Sequence, residues 1–397
     1  MPCILRVVQD EQIPRLLQEN ATSNSSPQAM QRTRAKPLAT SDDEMRTVLR
    51  GLPFNPTTEM DLELWAIALR TRDDAPTRAA LADRAPAELS AAFRRGALPP
   101  LLQRELETFL VRYGHRAIAE IDLGLPRWSE DPSHLLGAIA NYQRLDAAAL
   151  TPDAQFASGA REAQATIATL LSRVHGPRRL LARMLLRRVR ALAGAREAPK
   201  FHAVRVFAQG RAILAAVGLA LAAEGRVATA DDIWFLTLPE ARRALAGDDM
   251  QKRVAEGRAE YRREERRRHV PRVLLSDGTD AEAAFTSPAA DGAIRGTPAS
   301  PGTARGVAHV MFSPAGARLE PGEVLVARAT DPGWTPLFLT ASALVMEMGG
   351  MMSHGAVVAR EYGIPAVVGV PDATERIATG QLVSVDGSAG TVAIEAS

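Results

Sequence analysis

The chain has 397 residues, enough for two to three domains at roughly 150 residues each, and its hydrophobic (46%) and charged (24%) fractions are those of a folded globular protein. Lys and Arg total 48 against 46 Asp and Glu, a net charge of +2. That balance excludes a protein whose main task is holding nucleic acid or an anionic membrane in a uniform basic field, and the composition excludes a disordered or collagen-like chain.

Lys36, Lys200 and Lys252 are the only lysines, so each is a position to inspect. The one cysteine, Cys3, can form neither an intramolecular disulfide nor a multi-thiolate zinc site, which points to a reducing compartment, the cytoplasm. Met1 to Asn20 carries Arg6, Asp10, Glu11 and Arg15 among its apolar residues and lacks the unbroken apolar stretch of a secretory signal. The longest apolar run, residues 212–223, falls short of the ~20 residues of a membrane-spanning helix and is expected to be a buried core helix.

In chain order, residues 1–44 read as a loose segment, polar from 20 to 42 and interrupted by Pro27 and Pro37. Residues 45–275 alternate Ala/Leu-rich stretches at helical spacing with short breaks such as 52–56 and 194–197, which predicts an all-helical domain. One helix is expected to open at Asp61 and another to run from Leu101 to Val111. A long helical pattern covers 162–192, with a break expected near Gly176 and Pro177. Residues 276–295, small, acidic and glycine-containing, predict a linker. After it the period changes: short β-rich runs at 306–311, 323–327, 343–346, 366–370 and 382–385, with helical pieces at 335–341 and 355–362, predict a compact α/β domain over 296–397.

The most informative stretch is residues 349–361, GGMMSHGAVVARE. A strand ending at Met346 runs into a turn at Gly349 and Gly350, and His354 follows Ser353 at the first turn of a helix. Free N–H groups and the helix dipole favour an anion there, and glycines let the backbone approach a phosphate. A largely neutral imidazole has a ring-nitrogen lone pair that can attack phosphorus, so His354 is the candidate nucleophile, with Gly349, Gly350, Ser353, Gly355 and Arg360 forming its loop. This run, with residues 362–370 (YGIPAVVGV) after it, resembles the phosphohistidine motif of the PEP-utilising enzymes. Residues 297–306 resemble the opening segment of that family's mobile domain, and residues 330–336 its internal loop.

The resemblance implies a swivelling β/β/α domain that carries a phosphoryl group on histidine between two distant sites. Met352 and Gly355 stand where many members have Thr and Ala, and both look like the rifampin phosphotransferase branch. That branch implies, ahead of the histidine domain, a largely helical rifamycin-binding domain, a place in antibiotic resistance, and an ATP-grasp nucleotide domain. Supporting stretches are residues 55–62, 113–116 with 120–123, 127–128 and 231–237. The fold class is thus α plus α/β: a helical acceptor-binding domain followed by a phosphohistidine domain. No GxxxxGK[ST] loop occurs, so ATP and Mg are expected on an ATP-grasp partner domain or chain rather than on this chain, and no metal site is expected in it. The implied reaction passes the β-phosphoryl of ATP through His354 to a hydroxyl of a small rifamycin-like acceptor, leaving AMP and phosphate. The alternative is a binding or regulatory protein, or a truncated remnant, that keeps the fold without turnover.

Residues 196–201 (REAPKF) resemble the segment whose Arg and Lys face the transfer site. Arg196 and Lys200 would then neutralise phosphoryl oxygens; read without the resemblance they are equally solvated charges at a helix start. His115, with Arg116, Glu120 and Asp122, is either an acid/base pair for the acceptor hydroxyl or a hydrogen-bonded turn. The arginine runs 178–190 and 262–268 read as solvated helix faces paired with acids such as Glu264 and Glu265.

Overall fold

The computed structural model describes residues 41–144, 151–266, 275–278 and 294–395, except positions 315, 316, 318, 331, 339 and 352. The loose segment expected at 1–44 lies outside these apart from residues 41–44, as does most of the linker expected at 276–295. Helix α1 (Asp42–Val48) opens on a capping box between Ser41 and Glu44, each side chain accepting from the other's backbone N–H. Asn55 caps α2 (Pro56–Thr71) through the Thr57 and Thr58 N–H groups, and Pro56 sits where a missing N–H is harmless. This helix therefore starts more than a turn before Asp61, where the apolar pattern placed its opening, and Asp61 lies buried inside it.

Helices α3 (Ala75–Asp83), α4 (Pro86–Arg94), α5 (Pro100–Tyr113), α6 (Ser133–Gln143) and α7 (Pro152–Ser172) follow. The long pattern over 162–192 divides at Gly176, whose φ of 61° suits glycine, and Pro177 opens α8 (Pro177–Gly194). The break expected at 194–197 is a 3-10 turn, Ala195–Glu197, flanked by helical backbone that continues into α9 (Ala198–Ala223). Helices α10 (Leu238–Leu245) and α11 (Gln251–Glu265) complete the helical part.

Two stretches depart from expectation. The run 212–223 is not a buried core helix: in α9 only Val204, Arg211, Gly218 and Leu221 are buried, and Ile213 and Leu219 are exposed. Alanine-rich helix forms on intrinsic propensity and does not require burial. Together with α8 it makes the one stretch among the described residues, 177–223, long and apolar enough to cross a membrane by length and composition. Arg190, inside a run read as solvated, is buried; its guanidinium donates to the carbonyls of Val48, Arg50 and Gly51, the last two at 2.9 and 2.7 Å. It satisfies the loose carbonyls where α1 ends. In the second run, the exposed Arg263 pairs with Glu264 at 3.4 Å, as a solvated face would.

The C-terminal part is an eight-stranded sheet: β1 (Ile294–Arg295), β2 (Thr297–Ser300), β3 (Thr303–Met311), β4 (Val324–Ala327), β5 (Ala343–Met346), β6 (Ala366–Val368), β7 (Leu382–Asp386) and β8 (Thr391–Ile394), in the order β1-β8-β7-β3-β4-β5-β6-β2. Strands β3 to β6 pair in parallel, with Val324 opposite Ala343 and Leu344 opposite Ala366. The central strands β4, β5 and β6 are buried at every residue, as parallel strands covered on both faces are. Short helices α12 (Thr335–Phe338), α13 (His354–Tyr362) and α14 (Ala373–Arg376) fill the crossovers and the end. The molecule is thus mixed, helices followed by a sheet with helices.

The chain forms two units. The larger takes in residues 40–118, 127–202 and 282–397, and one buried apolar cluster within it includes Met60, Leu64 and Leu102 of the helices together with Leu337, Phe338 and Ala356 of the sheet part. The smaller takes in described residues of 119–126 and 203–281, with its own core of Leu221, Val227, Ile233, Leu236 and Met250.

Candidate active site

Strand β5 ends at Met346 and the chain turns at Gly349, whose φ of 118° belongs to glycine and whose added Cβ would lie 2.8 Å from the Ser353 Oγ. The Ser353 N–H and hydroxyl both donate to the Gly350 carbonyl, at 2.9 and 2.8 Å, closing the loop on itself. His354 then occupies the first position of α13. Gly355 is required by packing: a Cβ there would lie 2.4 Å from the Thr330 Oγ1 and 2.7 Å from the Met346 sulfur. The glycine after the histidine lets the helix start press against the internal loop and the end of β5.

The imidazole is held between two groups that the sequence left without a role. On one side Thr335, fully buried at the start of α12, places its Oγ1 3.2 Å from Nε2. On the other, the Glu197 Oε2 lies 3.7 Å from Nδ1, both side chains being 10% exposed. That is an ion-pair distance, too long for a hydrogen bond. Arg196 Nη2 donates to the other oxygen of Glu197 at 2.7 Å, and Lys200 lies one turn further on. Burial pushes the Glu197 carboxyl up, but His354, Arg196 and Lys200 together outweigh it and hold it at about 2. Glu197 is therefore a fixed anion beside the ring, with cations beside it in turn. A lone carboxylate between an arginine and a lysine in residues 196–200 was the available signal for it.

Arg360 faces back into the sheet part: its guanidinium donates to the Met351 carbonyl at 2.6 Å and the Ala299 carbonyl at 2.8 Å, bracing the loop against β2. Burial, with Arg196 and Arg46 nearby, lowers it to about 10. His115 and Arg116 stand beside Phe201, the residue after Lys200, with the His115 ring 4.6 Å from the Phe201 ring and the Arg116 guanidinium 5.9 Å from it. Arg116 is buried and donates to Thr57 Oγ1 at 3.3 Å. Glu120 is buried too and belongs, with Asp122, to the smaller unit. The structure thus brings His354, Arg196 and Lys200 together around Glu197.

Residues 18–197 match the rifampicin phosphotransferase fourth domain, and residues 319–390 match the mobile domain of PEP-utilising enzymes. A rifampicin phosphotransferase of Streptomyces sviceus is 38% identical over 296 residues, 73% of this chain and 34% of that protein. A prodigiosin synthesizing transferase of Serratia marcescens is 32% identical over 302 residues, 74% of this chain and 33% of that protein. A phosphoenolpyruvate synthase of Aeropyrum pernix is 52% identical over 101 residues, 25% of this chain and 12% of that protein. The chain thus spans about a third of the length of the first two relatives. A fourth-domain match followed by a mobile-domain match, on a fold that sets a histidine at a helix start behind a glycine turn, places this chain with the rifampicin phosphotransferases in the PEP-utilising enzyme family.

Proposed function

We propose that this chain is the acceptor-binding and phosphoryl-carrying part of a dikinase-type phosphotransferase acting in the cytoplasm. His354, on a domain that swivels, takes a phosphoryl group at an ATP-grasp partner and delivers it to a hydroxyl of a rifamycin-like molecule. The observation that carries this reading is the Glu197 carboxylate 3.7 Å from the His354 ring, flanked by Arg196 and Lys200. ATP with Mg, bound on the partner, supplies the phosphoryl group. Among the described residues no group of three or more His, Cys, Asp and Glu could hold a metal ion, and the roles below belong to this chain's own side chains.

In the transfer step the N–P bond to the ring breaks as the acceptor oxygen bonds to phosphorus. The acceptor's proton passes to the ring nitrogen that phosphorus leaves; with Nδ1 already carrying a proton towards Glu197, the ring ends as an imidazolium that the carboxylate stabilises. Arg196 and Lys200 offset the charge on the phosphoryl oxygens. Leu185, Val189 and Leu192 are exposed along α8, which leads directly into the turn bearing Glu197; this apolar strip beside the charged turn suits a large apolar acceptor carrying a hydroxyl. The relative named for prodigiosin favours a second reading in which the same site serves a different apolar acceptor.

The test charges the purified chain with phosphoramidate, a small-molecule phosphoryl donor, and follows intact mass. One acid-labile phosphoryl group is expected on wild type and none at this site in His354→Ala. Adding rifampicin should then discharge the wild type. Equal labelling of the variant would remove His354 from the mechanism, and a charged protein that discharges to no hydroxyl acceptor would leave only the non-catalytic reading.

A further inference from the structure

The last residues of α13 divide their contacts between two parts of the larger unit. Arg360 stays within its own domain, but Glu361 and Tyr362 reach across to α2. Glu361 is fully buried; the Asn55 amide donates to its Oε1 at 2.7 Å and the Thr58 hydroxyl donates to its Oε2. The Tyr362 hydroxyl donates to Asp61 Oδ2 at 2.9 Å, and Tyr142 donates to the other oxygen of Asp61 at 2.5 Å. Asn55, Thr58 and Asp61 are three apart in sequence, so they line one face of α2 from its N-cap inward. Glu361 is thereby seated at the N-terminus of α2, whose dipole and donors offset part of the cost of burying its carboxyl group.

Every oxygen on this face has a partner when the parts are together, and water can satisfy each one when they separate. A buried polar contact of this kind adds little net adhesion for its area, because desolvation offsets the attraction, yet it tolerates only one seating. That is what a surface needs if it must part and re-form in the same register. The latch residues lie seven and eight residues from His354, ~10–12 Å along the helix, so they cannot touch the reacting ring.

We propose that Glu361 and Tyr362 are positioning residues: a latch that seats the phosphohistidine domain on the Asn55, Thr58 and Asp61 face, sets His354 against Glu197 for transfer, and releases when the domain leaves to be charged. The inference rests on the reading of this chain as a swivelling carrier. Its test uses the full chain and the variants Glu361→Ala, Tyr362→Phe and, from the opposite side, Thr58→Ala. Charging by phosphoramidate requires access to a ring that is 10% exposed when seated, so the variants should charge severalfold faster than wild type. Discharge to rifampicin requires seating and should be roughly tenfold slower in Tyr362→Phe and Thr58→Ala, each of which loses one hydrogen bond to a buried carboxyl group, and slower still in Glu361→Ala, which loses two. Glu361→Gln, which keeps the shape and one acceptor, should lie nearer wild type.

A merely structural role would move charging and discharge in the same direction, so opposite changes support the latch and parallel changes overturn it. Amide hydrogen exchange supplies a readout independent of activity. Exchange should rise over 354–362 and stay unchanged over 324–327 and 343–346; a rise throughout the sheet, or none anywhere, also overturns it. Should the wild type charge but never discharge to rifampicin, the acceptor reading fails, while the charging rates and the exchange pattern still decide the latch.

Discussion

Replacing Glu197 by Gln tests the site at its electrostatic centre. The substitution keeps the size of the side chain and removes its charge from beside His354, Arg196 and Lys200. With burial already acting against it, the carboxyl still falls from the usual 4.5 to about 2, a net favourable interaction of ~3 kcal/mol with Arg196, Lys200 and the protonated form of the His354 ring. The sign is that of a lowered acid: the contribution is fully present above about 4.5 and fades as pH falls toward about 2, so at pH 7 the carboxylate keeps its full charge, and the share owed to His354 is realised as the ring becomes protonated during transfer. If most of that interaction serves the protonated ring as the phosphoryl group departs, discharge should slow by about 10²-fold. The assay is single-turnover decay of phosphoramidate-charged protein on adding rifampicin, read by intact mass, with charging measured separately. Discharge at the wild-type rate would show Glu197 to be a bystander, and equal falls in charging and discharge would show only general damage.

Gly355→Ala should destabilise the protein by ~1–3 kcal/mol, since the new methyl group meets Thr330 and the Met346 sulfur at overpacked distances. Met346→Ala should offset part of that cost in the double variant, and denaturant melts that gave strictly additive losses would refute the contact. Seating of the phosphohistidine domain should weaken as pH rises. Burial raises Glu361 to about 7, above the usual 4.5 of the freed side chain, so the seated form binds the extra proton and its advantage is lost between about 4.5 and 7. The charged groups facing Glu361 are Glu197, Arg196, Arg190 and Arg360, with Tyr362 beside it. Exchange over 354–362, corrected for intrinsic rates, should therefore rise from pH 5 to pH 8 in wild type and much less in Glu361→Gln; matching profiles would exclude Glu361 as the titrating group.

Whatever rests on neighbours along the chain is legible in the residues alone. The glycine turn, Ser353 and the helix that opens on His354 lie within a few residues, and their geometry follows from backbone preferences at those positions. The same holds for the division of α7 from α8 at Gly176 and Pro177, and for the strands that run Val/Ala-rich between glycines. Short β2 shows no alternating period because Pro298 interrupts it, and the apolar period of α2 sets in only after Asn55 and Pro56 have already started the helix.

What each side chain faces is set by the fold and by no local pattern. An apolar run reads alike whether it is buried or, as in α9, largely exposed, because helix propensity is local and burial is not. Arg190 in its basic run looks like its neighbours until it meets carbonyls 139 and 140 residues earlier. Thr335 and Glu197 reach the imidazole from separate elements, and Asn55 meets Glu361 across 306 residues. Such pairings arise when distant segments fold onto one core, and no period, cap or turn along the chain encodes them.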